Sequence, residues 1–185
     1  MLQQLFKDTE ERMTKAVEAT RHEFASIRTG RASTALLDRL NVDAYGQEMP
    51  LKQLASVTTP DARSLVIQPF DKNTVGDIRK AIEKSDLGLT PNVDGTVIRL
   101  GIPPLTEERR KDLVKVVRKK GEEGKVALRN VRHRAVDELK VLHKDGTVTD
   151  DDQKRAQDQI QKLTDKYSKD VDALVVHKEK EIMEV

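Results

Sequence analysis

Residues 105–144 read LTEERRKDLVKVVRKKGEEGKVALRNVRHRAVDELKVLHK, and the periodicity of this stretch decides the fold. At 3.6 residues per turn it is one long helix with two distinct faces. Leu113, Val117, Gly124, Leu128, Val131, Ala135 and Leu142 recur at steps of three, four and seven and form an apolar seam. Lys111, Arg118, Lys125, Arg129 and Arg132 recur at similar steps on another side, roughly 100° around an ideal helix. The seam requires protein to cover it. The basic stripe is expected to be free to meet something anionic.

The charge distribution supports that emphasis. Residues 1–30 and 31–104 are each neutral, with five and nine cations against as many acids. Residues 105–144 carry thirteen Lys and Arg against seven acids, and residues 145–185 carry seven against eleven. The formal net charge of +2 therefore conceals a positive field on one segment, offset by an acidic one.

Outward from this helix, two more seams appear. Residues 2–28 carry Phe6, Met13, Val17, Thr20, Phe24 and Ile27, with no Gly or Pro before Gly30, the expected helix stop. Residues 149–183 carry Ala156, Ile160, Leu163, Tyr167, Val171, Leu174 and Ile182 behind a Thr149-Asp-Asp-Asp152 start. Thr106, followed by Glu107 and Glu108, is the expected N-cap of the basic helix, and Gly146 its C-terminal stop. The second and third helices are joined by a short turn, so they are expected to lie antiparallel. A lone helix with an uncovered seam is marginal in water. The economical solution is one elongated three-helix bundle, residues 1–29 plus 105–185.

Between Gly30 and Pro104 the texture changes, with all six Pro and most of the Gly. Strand-like runs occur at LNVDAY (40–45), ASVTTP (55–60), SLVIQPF (64–70) and TVIRLGIP (96–103). Tyr45-Gly46 and Asp94-Gly95 are turn signals, and 73–86 reads as a helix capped by Asn73 or Thr74, with Val75, Ile78 and Ile82 inward. Residues 30–104 are thus expected to be an inserted α/β domain, and the overall class α+β. Two chain crossings, near 29–31 and 103–105, would join the parts as a double-strand hinge.

Several chemistries are not expected. With no Cys there is no disulfide, thiol nucleophile or Cys-based zinc site. His22, His133, His143 and His177 lack metal-ligand spacing, and TGRAST is no phosphate loop. KDGTVTDDD fails the ligand order of a calcium loop. No run of eighteen apolar residues predicts a membrane span, and MLQQLFKDTEERM lacks the apolar core of a secretory signal, so a cytoplasmic protein is expected. No catalytic residue, cofactor or metal is expected. With aromatics only 3% of the chain, a base-stacking platform is disfavoured, and recognition of folded RNA through phosphates and shape is favoured. A helical chaperone gripping a protein partner and an enzyme within the α/β module are the alternatives.

The chain also contains IRTGRAS (27–33), LKQLASV (51–57), SDLGL (85–89), PPLTEERRKDL (103–113), VALRNVR (126–132), DDD (150–152) and QIQKLTD (159–165). In these it closely resembles the bacterial ribosome recycling factor family, over essentially its whole length. The resemblance implies an L-shaped molecule that acts after termination. It would bind the large subunit of the post-termination ribosome and, with elongation factor G and GTP, separate the subunits. It would do so as a monomer, without a small-molecule substrate and without hydrolysing anything itself. The resemblance also implies that Arg110, Arg129 and Arg132 touch large-subunit ribosomal RNA; the spacing of the stripe adds Lys111, Arg118 and Lys125 as candidates for the same contact. Arg28, Thr29, Gly30 and Arg31, with Pro103 and Pro104, match the hinge. Where the family runs Arg-Asp-Ala-Asn, this chain has His133-Arg134-Ala135-Val136, gaining a basic residue and losing an acid.

Overall fold

The computed structural model describes residues 1–184, which divide into two compact units: Met1–Phe24 with Asp112–Glu184, and Ala25–Lys111. The first is helical. Its elements are α1 (Leu2–Ala25), α4 (Glu107–Lys144) and α5 (Asp150–Met183), and the smaller unit holds the rest.

Caps set two of the helix starts. The Thr106 hydroxyl accepts from the Arg109 amide at 3.1 Å, and the Thr149 hydroxyl accepts from the Asp152 amide at 3.2 Å. Three acids in the first turn of α5 complement its dipole. The α4–α5 turn runs as expected, with Gly146 N–H donating to the His143 carbonyl at 3.0 Å.

The helical core forms two main layers. Leu5, Ala135, Leu139, Val148, Ala156 and Ile160 pack together, and Met13, Val17, Leu128, Tyr167 and Val171 form the next cluster. Residue numbers rise along α4 as they fall along α5, so the two are antiparallel. The first seam differs from expectation. Leu5 and Thr9 are buried, whereas Phe6 is only half-buried. Thr9 can be buried because its hydroxyl donates to the Leu5 carbonyl at 2.7 Å, leaving no unsatisfied group. Helix α1 also ends at Ala25, not near residue 28. Ile27 is buried beyond the helix end, and the Arg28 guanidinium donates to the Pro103 carbonyl at 3.4 Å, so contacts outside the helix take over there. Gly30, the expected stop, lies five residues further on.

Two glycines interrupt α4 because neighbours come too close for a side chain. A Cβ on Gly121 would lie 2.5 Å from Val175 Cγ2 on α5. One on Gly124 would lie 2.5 Å from Thr20 Oγ1 on α1. The expected seam places Gly124 correctly but omits Gly121 and Leu139, both buried.

The smaller unit contains a hairpin of β1 (Asn41–Ala44) and β2 (Gln47–Pro50), a single-turn α2 (Leu51–Leu54), and α3 (Val75–Lys84). A four-stranded antiparallel sheet has the order β3 (Ala55–Asp61), β4 (Ser64–Pro69), β6 (Val97–Gly101), β5 (Pro91–Asp94). Leu65, Ile67, Ile98 and Leu100 on its inner face are fully buried, as are Ile78 and Ile82 of α3. Strands β2 and β5 are additions to the expected set. Each adjoins an expected turn, Tyr45-Gly46 or Asp94-Gly95, but is short and largely exposed. Tyr45 and Gly46 have φ of +55° and +76°, the pair of left-handed residues that a two-residue type I′ hairpin needs. The start of α3 is corrected in one respect. Thr74 holds the N-cap position, as expected, but its hydroxyl donates to the Asp71 carbonyl and makes no capping bond; the side-chain cap belongs to the 3-10 turn Lys72–Thr74 just before α3, where Asp71 accepts from the Asn73 amide at 2.9 Å.

Candidate nucleic-acid interface

Four of the basic residues of α4 fall at strict sevenfold spacing: 111, 118, 125 and 132. Seven residues are nearly two turns, so these side chains share one edge of the helix. That edge lies against α5, and most of the stripe is engaged there. Arg118 Nε donates to Glu179 Oε1 at 2.6 Å. The Lys125 ammonium pairs with Asp172 and lies 3.7 Å from Glu122. Arg132 Nη1 donates to the Gln161 carbonyl oxygen at 3.3 Å, and the Gln161 amide donates in turn to Asp165 at 2.9 Å. Lys111 pairs with Glu107 at 3.9 Å within the smaller unit.

These contacts shift the cations in one direction. The hydrogen bond from Arg118 to Glu179, aided by the carboxylate charge, raises the guanidinium above its ordinary value. The hydrogen bond to Asp172 raises Lys125, against a smaller opposing effect of burial. Both groups stay charged at any physiological pH.

The stripe is therefore not uniformly free, as the spacing alone suggested. Lys111, Arg118 and Lys125 each have a carboxylate partner. Arg110, Arg129 and Arg132 have none among the described residues. Arg129 is exposed, and Arg132 is half-buried, with its stem against the bundle. Arg110 lies at the start of α4, its buried Nε without a hydrogen-bond partner. Arg134 points elsewhere, paired with Glu138 at 3.4 Å. The acids facing the stripe, Asp165, Asp172 and Glu179, were missed in the sequence. Their own sevenfold spacing, mirrored in reverse, was the signal that could have found them.

The residues of the two crossings lie in the smaller unit, Arg28 being held to Pro103 as described. Nearby backbone bonds, Ala32 N–H to Ala62 (2.7 Å) and Ile102 N–H to Arg63 (2.8 Å), fasten both crossings to the same β3–β4 turn. Among the described residues, no cluster of three His, Asp or Glu is arranged to hold a metal ion, and no helix is long and apolar enough to cross a membrane. His143 and His177 sit near Asp150 and Glu181 at 2.5 and 2.9 Å.

Sequence and structure comparisons with known proteins agree. A family model described as ribosome recycling factor matches residues 20–183. The chain is 58% identical over 185 residues to the ribosome-recycling factor of Halalkalibacterium halodurans, covering 100% of both chains. It is 59% identical over 178 residues to that of Thermosynechococcus vestitus, covering 96% of this chain and 98% of the other. Among solved structures it is similar to a solution structure of the ribosome recycling factor, with TM-score 0.79, 46% identity, and 100% and 98% coverage. It is also similar to the T. thermophilus ribosome recycling factor in a structure that places it, with E. coli elongation factor G, on the E. coli post-termination complex. The TM-score there is 0.69, with 48% identity and full coverage of both chains.

Proposed function

The chain belongs to the ribosome recycling factor family, and from that premise we propose that α4 is the surface by which it docks on large-subunit ribosomal RNA. It is a translation factor that acts on the post-termination ribosome with elongation factor G and GTP to separate the subunits. We propose further that it works in the cytoplasm, as a monomer, with no catalytic residue, cofactor or metal of its own. The nucleotide hydrolysis then belongs to the elongation factor.

One observation carries the assignment of the surface. Arg110, Arg129 and Arg132, which the family resemblance assigns to RNA, all lack a carboxylate partner among the described residues, whereas the stripe cations Lys111, Arg118 and Lys125 each have one. A guanidinium without an internal counterion keeps its forked donors for a phosphate. Lys111, Arg118 and Lys125 are the flanking part of the same surface, already compensated by acids. The crossings at Arg28, Thr29, Gly30 and Arg31 and at Pro103 and Pro104 are proposed as a hinge between a bundle of residues 1–29 plus 105–185 and an inserted domain of residues 30–104. The prolines stiffen one strand, so rotation is favoured over a loose tether.

The test is co-sedimentation of wild type and Arg129→Ala with purified large subunits at several salt concentrations. The affinity should fall steeply with salt, and the variant should bind more weakly with a shallower log–log slope. Salt-insensitive binding, or an Arg129→Ala variant indistinguishable from wild type, would refute the assigned surface.

A further inference from the structure

The acids of α5 repeat the spacing of the basic stripe in the opposite direction. Arg118 meets Glu179, and seven residues along α4 Lys125 meets Asp172, seven residues back along α5. The next step brings Arg132 to Gln161, which is bonded to Asp165. This ladder borders the surface assigned above to RNA. It places carboxylates on the cations that a phosphate would otherwise use. A carboxylate and a phosphate oxygen compete for the same N–H donors.

The exposures determine what that competition does. Each pair joins an exposed member to a largely covered one: Arg118 is 68% exposed and Glu179 23%, while Asp172 is 55% exposed and Lys125 24%, so both pairs open to solvent on one side only. Half-exposed pairs of this kind contribute modestly to folding. A ladder of this kind is therefore a weak strut, yet it offsets the local positive potential. The acids also stay beside any phosphate that displaces them and repel it. We propose that Asp172 and Glu179 attenuate RNA docking by holding Lys125 and Arg118 as an internal substitute for phosphate. The consequence is a binding surface tuned below its greatest possible affinity, suited to a factor that must leave its site after each round. This inference rests on the RNA-facing reading of α4.

The experiment measures large-subunit affinity of Asp172→Asn, Glu179→Gln and the double variant over a salt series, with thermal melting as the fold control. Each single change should tighten binding about three- to ten-fold at moderate salt and steepen the log–log salt slope by somewhat under one, because one more cation is released to phosphate. The double variant should approach the product of the two. Unchanged or weaker binding by a folded variant would overturn the proposal. If Asp172→Asn melts early, Glu179→Gln tests the same idea at an independent pair. If both melt early, the acids are structural struts and the inference is wrong. Failure of the docking surface itself looks different: wild-type binding would then be insensitive to salt and to Arg129→Ala.

Discussion

Gly124→Ala gives a prediction whose sign depends on the bundle. On an exposed helix, replacing Gly by Ala stabilises by roughly 1 kcal/mol through backbone entropy. Here the new Cβ would lie 2.5 Å from Thr20 Oγ1, 3.3 Å from its Cγ2 and 3.4 Å from its Cβ. Turning the Thr20 hydroxyl away from the new Cβ gives up its bond to the Ala16 carbonyl at 3.1 Å. Either that buried bond is lost or the helices separate locally, at an overpacking cost of about 1–3 kcal/mol. Offsetting the propensity gain leaves a net loss of up to about 2 kcal/mol. Gly121→Ala is the internal comparison. It meets only one atom closely, Val175 Cγ2 at 2.5 Å, with the next atoms at 3.9 Å, and Val175 is half-buried, so a local shift of one side chain beside solvent relieves it. Gly121→Ala should therefore be the milder change. Urea unfolding followed by helical circular dichroism measures both. A Gly124→Ala protein more stable than wild type by about 1 kcal/mol would show that α4 and α1 are not in close approach there, and the reasoning would fail.

Three further outcomes are expected. Arg132→Ala should weaken large-subunit binding by about 1–3 kcal/mol while the bundle stays folded, whereas Arg134→Ala should have little effect; equal effects in the same binding assay would remove the assigned contact. Thr149→Ala should cost about 1 kcal/mol in a denaturation measurement, because the Asp152 amide loses its cap. Asp71 is held below the usual carboxylate range by the Tyr45 hydroxyl at 2.5 Å and the Asn73 amide at 2.9 Å, so its contribution is present above the unfolded value and disappears as pH falls below about 4. Asp71→Asn should accordingly flatten the acid limb of a stability-against-pH profile; an identical limb would mean that the capping bond is not formed.

Much of this fold was legible because long helices repeat their instructions. Met13, Val17, Val117, Leu128, Ile160 and Val171 are buried where the spacing put them. The seam failed where polar residues were buried with their needs met locally. Thr9 and Thr164 each donate to the carbonyl four residues earlier, so a hydroxyl occupies a core position that hydrophobic periodicity cannot register; Thr20, which the seam did include, is buried and satisfied in the same way. Gly121 was unreadable for a related reason: its role is the space it leaves for Val175. In the smaller unit, QEMP and PNVD have no apolar alternation to announce β2 and β5, and only the turns before or after them do. The basic stripe was plain in one helix. What paired with it depended on the register of a second helix, a relation between distant residues that a single linear pattern does not carry.

The fastening of both crossings to the β3–β4 turn also bears on how the chain folds. About eighty residues separate the end of α1 from the start of α4, yet these helices must meet. Closing so long a flexible loop costs entropy that grows as the logarithm of its length. Once the inserted unit is folded, Arg28 is bonded to Pro103, and Ala32 and Ile102 are anchored at Ala62 and Arg63. The effective loop shrinks to roughly a tenth of its contour, which lowers that entropic cost by about 2 kcal/mol. The small unit thus acts as an intramolecular tether for the bundle, and destabilising its sheet should slow the association of α1 with α4 without touching a residue of either seam.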